Sequence, residues 1–250
     1  MRIQRSLVLA GLGLLALGLA GCQSTAKHSS ASFKDSQSST KTYHAAKPDA
    51  AVTASSSSKI AQTYQPRAAQ TQAKGYVKSG KLQQKGQYTF DKVGTKLTLT
   101  RVHALNQTIK SGQLTYRVTS VRLIKNVAEN DQAKRMAAQA LNLAEIKSPY
   151  YTLQVKFTIL NRGKRAVTTD GIKAIQLGNH QRLTAANQLS DASAGKTIPA
   201  HRQLATFATG LAGQETQPTF THVKLAFAGG YDQRQHQLVK PSGWLTVDLS

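Results

Sequence analysis

Hydrophobic and polar residues alternate most cleanly between Tyr151 and Ile159. Tyr151, Leu153, Val155, Phe157 and Ile159 fall on one side of an extended chain, and Thr152, Gln154, Lys156 and Thr158 on the other. A period of two predicts a β-strand with one face in a core and the other in solvent. Asn161-Arg162-Gly163 then ends the run as a turn. Shorter runs of the same kind occur at Tyr88–Phe90, Leu97–Val102, Leu114–Val118 with Val121–Leu123, Ile172–Leu177, Gln203–Thr209, Val223–Phe227 and Trp244–Leu249. The alternation slips phase within Leu97–Val102 and again between Val118 and Val121, which is the mark of a β-bulge. Pro199 and Pro241 precede the Gln203 and Trp244 runs, where proline costs no ladder bond.

One segment breaks this rhythm. Asn130 to Ile146 has a helical composition, with Asn130 or Asp131 placed to cap it. Met136, Ala140, Leu143 and Ala144 recur at i, i+4, i+7 and i+8 and predict one apolar face. Ser148-Pro149 stops the helix, which is expected to pack as a flap against one end or face of the sheets. About eight short strands separated by turn residues predict an all-β, two-sheet sandwich with this one inserted helix, over residues 86–250. A domain of that size can bury a full core.

The chain before residue 86 has neither period. Residues 1–21 comprise a short basic start, Met1 to Arg5, and an apolar run from Ser6 to Ala20. The run is shorter than the roughly 20 residues a spanning helix needs and ends in small residues, as a cleaved signal peptide does. Leu19-Ala20-Gly21-Cys22 resembles a bacterial lipobox, and Cys22 is the single cysteine of the chain. The resemblance implies a thioether-linked lipid on Cys22 and a mature chain beginning there. Two acyl chains on one diacylglyceryl group give durable attachment. With a single cysteine, no intramolecular disulfide forms, and the exported domain relies on its core.

Residues 22–85 are rich in Ser, Thr, Ala, Gln and Lys, with lone aromatics at Phe33, Tyr43, Tyr64 and Tyr76. Such a segment buries too little apolar area to offset the entropy of ordering, so it is expected to be a disordered tether. A flexible chain of this length spans roughly 40–50 Å r.m.s.. It carries ten Lys/Arg and two acids, and it is expected to act as a spacer with weak adhesion to wall polyanions.

Charge then changes the picture. Residues 86–250 hold 21 Lys/Arg against nine acids, a net of +12. Arg162, Lys164 and Arg165 cluster at one turn, and Arg117, Arg122 and Lys125 lie along one strand. A basic excess of this size fits a solubilising surface and also fits an electrostatic footprint for teichoic acids or anionic headgroups. Aromatic residues are not interleaved with these charges, so nucleic acid is not the expected partner.

Catalytic patterns are sparse. No serine lies in a Gly-x-Ser-x-Gly elbow, no glycine loop suits a phosphate, and the acids are well separated. His103, His180, His201, His222 and His236 show no ligand spacing, so neither a metal nor another cofactor is expected.

The run Tyr150-Tyr151-Thr152-Leu153-Gln154-Val155-Lys156-Phe157-Thr158-Ile159-Leu160-Asn161-Arg162-Gly163 resembles the central strand-and-turn signature of a family of Gram-positive surface lipoproteins. Their domain of unknown function has the immunoglobulin-like fold of mycobacterial immunoprotective extracellular proteins. The likeness extends over roughly residues 114–249, through Thr197-Ile198-Pro199-Ala200 to a strand with a buried phenylalanine, here Phe207. Where the family carries glycine before that strand, this chain has Ala200-His201. The resemblance implies an immunoglobulin-like sandwich and transfers no catalytic residue. The expected protein is a non-enzymatic binding or accessory module. It is held at the extracellular face of the cell membrane by the lipid on Cys22 and contacts anionic wall polymers or a surface protein. A cell-wall-active enzyme with a site assembled from distant residues is the alternative.

Overall fold

The computed structural model describes residues 63–178 and 181–249 and a short strand at 42–44. The expected signal peptide, the lipobox-like Leu19-Ala20-Gly21, Cys22 and most of the expected tether lie outside the described residues. In chain order the elements are β1 (Thr42–His44), α1 (Ala68–Gln72), β2 (Tyr88–Phe90), β3 (Thr95–Ser111), β4 (Leu114–Ala128), α2 (Asp131–Ala140) and β5 (Tyr150–Asn161). They continue as β6 (Val167–Thr169), β7 (Ile172–Leu177), β8 (Gln181–Leu183), β9 (Leu189–Asp191), β10 (Lys196–Ile198) and β11 (Gln203–Gln214). The last four are β12 (His222–Phe227), β13 (Gly230–Tyr231), β14 (Gln237–Val239) and β15 (Trp244–Asp248).

The protein is an all-β sandwich. One layer is a large sheet in the order β1-β11-β5-β4-β3-β2, with β9 also on β11; the opposing layer is made of two smaller sheets, β10-β6-β13-β14 and β15-β12-β7-β8. A single core cluster joins them. Tyr116, Val118, Leu153, Val155, Phe157 and Ile159 from the large sheet meet Val167, Ile198 and Val239 from one small sheet, and Ile175, Val223 and Phe227 from the other. At its centre the Tyr116 ring stacks on Phe227 at 4.1 Å, and Phe157 meets Phe227 edge-on at 5.4 Å. Offset and edge-on contacts of this kind suit the ring quadrupoles.

Both predicted phase slips are bulges. The β3–β4 register shifts between Leu99 and Arg101, and the β4–β5 register between Val118 and Ser120. The extra residue is a threonine each time, and each hydroxyl donates to a carbonyl of the neighbouring strand: Thr100 Oγ1 to Leu123 O at 2.9 Å and Thr119 Oγ1 to Lys156 O at 3.1 Å. Each bulge turns the following side chains to the opposite face: in β4 this keeps Val121 and Leu123 on the core side with Tyr116 and Val118, and in β3 it leaves Leu97 and Leu99 on the outer face with Ile124.

The outer face of the large sheet departs from the sequence reading. Thr152 and Gln154 are buried although they stand opposite the core-facing side chains. The cover comes from two elements. Helix α2 packs Ala137, Ala138 and Leu141 against Ile146, Tyr150 and Leu211. Asn130 caps it, its Oδ1 accepting from Ala133 N at 2.8 Å. The helix ends at Ala140, earlier than Ile146, because Asn142 turns left-handed at φ 53° and Leu143 N reaches back to Ala138 O. The buried face is therefore Ala133, Ala137 and Leu141, whereas Met136 is half-buried and Ala144 exposed.

The second cover is the chain from residue 63 to 85, which corrects the expected tether boundary. Tyr64 lies 5.7 Å from Phe90 and Tyr76 5.9 Å from Tyr88, ring to ring. Val77 N donates to Tyr88 O and Tyr88 N to Gly75 O, both at 2.8 Å. Leu82 is buried with Leu97, Leu99 and Ile124. The lone aromatics Tyr64 and Tyr76 thus find their apolar partners on β2, and residues 63–85 belong to the folded structure.

Candidate functional site

Sheet order gathers the basic turn with its neighbours. Because β3, β4, β5 and β11 lie side by side, the turns at 111–113, 162–166 and 199–202 share one end of the large sheet. Asn161, fully buried, ties them together. Its Nδ2 donates to Arg165 O at 2.7 Å, Ile198 O at 3.0 Å and Pro199 O at 3.2 Å, and its Oδ1 accepts from Gly163 N at 3.0 Å. Arg162 N donates to Gln113 O at 2.8 Å, and Asn161 N to Arg202 O at 2.9 Å. His201 takes a left-handed φ of 57°, a conformation uncommon for a residue with a side chain.

Arg162, Lys164 and Arg165 are all exposed on this scaffold. Lys110, exposed, and Arg202, half-buried, stand at the ends of the adjoining strands. No Asp or Glu occurs in residues 110–117, 161–167 or 198–204. The opposite end of the large sheet is mixed: Asp91, Glu129, Asp131, Glu145 and Glu215 accompany Lys92, Lys134 and Lys147 there. Lys110, Arg162, Lys164 and Arg165, exposed on segments that carry no Asp or Glu, present positive charge toward solvent, suited to phosphate or carboxylate groups of a polymer.

The other basic run divides. Arg117 is exposed and Lys125 half-buried, but Arg122 is buried, which removes it from the expected surface charge. Its Nη1 donates to Gln154 Oε1 at 2.8 Å and its Nη2 to Leu82 O at 2.6 Å, so this arginine holds the segment from 63 to 85 onto the sheet. Phe207 is likewise corrected: paired with Lys156, it lies half-buried on the outer face of β11 and not in the core between the layers.

The fold also brings together two carboxylates that are far apart in pattern. Asp170 and Asp191 line a surface cleft of ≈ 510 Å³ with Ile172, Lys173, Leu189 and Ala228. Asp191 Oδ2 accepts from Ile172 N at 2.7 Å, and Oδ1 accepts from Ser193 N at 2.7 Å and from the Ser193 hydroxyl. Burial pushes its carboxyl up to about 6, against the lowering pull of the Ser193 and Ile172 donors. Gly171, at φ +69°, makes the fit: a Cβ there would stand 2.2 Å from Ser193 Oγ. Both Asp191 oxygens thus serve the local turn. Separation in sequence hid this pair, and only the meeting of β7 with β9 reveals it. Among the described residues no group of three His, Cys, Asp or Glu side chains converges on a metal-sized site, and no helix is long and apolar enough to cross a membrane. His180 lies outside the described residues.

No family model and no curated protein matches the chain. Among solved structures it is similar to the yjhA protein from Bacillus subtilis, at 16% identity and a TM-score of 0.33, over 50% of this chain and 81% of that one.

Proposed function

We propose that this protein is a lipid-anchored, non-enzymatic module of the cell envelope whose basic sandwich end contacts an anionic wall polymer. The observation that carries the reading is the acid-free cluster of Arg162, Lys164 and Arg165 on a turn fixed by the buried Asn161. A rigid, exposed set of cations loses little conformational freedom on meeting a flexible polyanion, and counterion release supplies the driving force. The lipobox resemblance at Leu19 to Cys22 supports attachment to the outer face of the membrane, and the resemblance to Gram-positive lipoproteins of the immunoprotective type transfers no catalytic residue.

The test has two arms. Replacing Cys22 by Ala should leave an uncleaved precursor without lipid, read by metabolic labelling with a fatty acid; normal maturation would remove the anchor from the reading. The second arm measures binding of residues 22–250 to purified teichoic acid across a salt series. Binding should weaken steeply with salt, and the triple variant Arg162→Ser, Lys164→Ser, Arg165→Ser should bind less and with a shallower slope. Equal binding by parent and variant would remove this end from the reading.

An enzyme is the second reading, favoured by the Asp170–Asp191 cleft. Hydrolysis of wall glycan or peptide that disappears in Asp170→Asn would establish it.

A further inference from the structure

We propose that the outer face of the β15-β12-β7-β8 sheet is a binding platform for an acidic glycan, centred on Trp244. This site is remote from the basic turn cluster in the fold's connectivity and does not rest on it.

Trp244 is the single tryptophan of the chain and is 45% exposed, the more exposed of two large apolar side chains that stand out to solvent among the described residues. Val223, Leu225 and Phe227 of β12 point into the core, so Lys224 and Ala226 face outward. The register carries the outward face across the sheet: Trp244 is opposite Ala226, which is opposite Ala174, and Thr246 is opposite Lys224, which is opposite Gln176 and then Arg182. The Arg182 guanidinium lies 5.6 Å from the centre of the Trp244 ring. β8 and β15 are the two edges of this sheet, so the Arg182 and Trp244 side chains both extend over its outer face to meet. Ala174 and Ala226 face outward on the two middle strands and are 0% and 6% exposed. Two methyl side chains make a flat floor, Trp244 and Arg182 bridge it, and Gln176, Lys224 and Thr246 present amide, ammonium and hydroxyl groups beside it.

The chemistry selects the ligand. An indole ring offers a flat, electron-rich face that matches the axial C–H groups of a pyranose, which are slightly positive. Amide and hydroxyl groups alongside match sugar hydroxyls and acetamido groups. Arg182 and Lys224 match a carboxylate or phosphate on the same sugar, the guanidinium as a bidentate donor. One exposed ring is far too little apolar area for a stable protein interface, which needs roughly 800 Å² per partner.

The single tryptophan makes the test direct, because intrinsic fluorescence of the full chain in detergent micelles reports on this face alone. The probe is a tetrasaccharide of alternating N-acetylglucosamine and N-acetylmuramic acid, with N-acetylglucosamine tetrasaccharide as its neutral counterpart. A saturable change in Trp244 emission is expected with the acidic probe, at lower concentration than with the neutral one. Calorimetry should show at least tenfold weaker binding for Trp244→Ala. Arg182→Ala should lose the preference for the acidic probe while still binding both. The triple variant at Arg162, Lys164 and Arg165 should keep the full response, so failure of the polyanion reading leaves this one standing. The proposal is overturned by unchanged emission with both probes, by Trp244→Ala binding as the parent does with its melting transition intact, or by a response only to a single-stranded oligonucleotide. Loss of the response in the triple variant overturns it as well.

Discussion

Arg122 Nη2 stands 2.6 Å from the carbonyl oxygen of Leu82, forty positions earlier in the chain. The same guanidinium gives Nη1 to Gln154 Oε1 at 2.8 Å. A buried cation on the outer face of the sheet therefore fastens the segment from 63 to 85, and Leu82 closes over Leu97, Leu99 and Ile124. Removing the guanidinium leaves two buried acceptors short of a donor. Arg122→Ala is expected to lower stability by about 2–4 kcal/mol, against less than about 0.5 for Arg117→Ala on the exposed surface. Urea unfolding of residues 63–250 measures both. A chain begun at residue 86 should unfold at a lower urea midpoint still, because it uncovers Leu99 as well.

The core strand makes a sharper test of facing. Val155 and Phe157 are 0% and 1% exposed between the layers, while Lys156 is half-buried on the other side. Val155→Asp and Phe157→Asp each place a carboxylate among apolar side chains with no donor provided. Each should cost at least about 3 kcal/mol or prevent folding, whereas Lys156→Gln should cost no more than about 1. Equal melting temperatures for the three variants would refute the strand's facing.

The sheet layer was legible where a single face decides the pattern. Alternation from Tyr151 to Ile159 located β5, and the two phase slips located the bulges at Thr100 and Thr119. Burial of the second face was not legible, because the side chains that enter it, Thr152, Gln154, Arg122 and Asn126, are polar and pair with one another or with backbone. Residues 103–111 of β3 were missed because Leu105 and Ile109 alternate with polar residues over a strand that is only half covered. Tyr64, Tyr76 and Leu82 read as strays in a tether, since their partners on β2 and β3 lie elsewhere in the chain. Of the basic site, local sequence contained the Arg162, Lys164 and Arg165 cluster; topology added Lys110, Arg202 and the Asn161 bracket.

Asp191 predicts a pH dependence of stability. Its carboxyl ordinarily titrates near 3.8 and is pushed up to about 6 in the folded protein by burial. Between these values the folded chain holds a proton that the unfolded chain has released. Stability therefore falls as pH rises through that window, by up to about 3 kcal/mol at ~1.4 kcal/mol per pH unit, and levels off above it. Asp191→Asn removes the titration, so its profile should be flatter over pH 4–6. The variant should also be less stable throughout, because an amide nitrogen meets the donors of Ile172 or Ser193. Denaturation midpoints taken across this range decide it, and a parent profile as flat as the variant's would assign the slope to nothing at Asp191.

Asn161 separates the shape of the basic end from its charge. One side-chain amide serves three carbonyls, of Arg165, Ile198 and Pro199, and its oxygen holds Gly163 N, so the turn that displays Arg162, Lys164 and Arg165 takes its form from a neutral residue. Asn161→Ala strips these bonds at a fully buried position and should cost about 2–4 kcal/mol in stability. It alters no charge. If binding to a polyanion needs only net charge, the variant should bind as the parent does at a temperature where both are folded. If it needs the fixed turn, affinity should drop several-fold while the salt slope stays near the parent value, since the cations remain and only their preorganisation is lost. The serine triple variant should instead lower both. Running the two side by side in one salt series therefore distinguishes a built site from a diffuse field, and the expected result is the several-fold loss at constant slope.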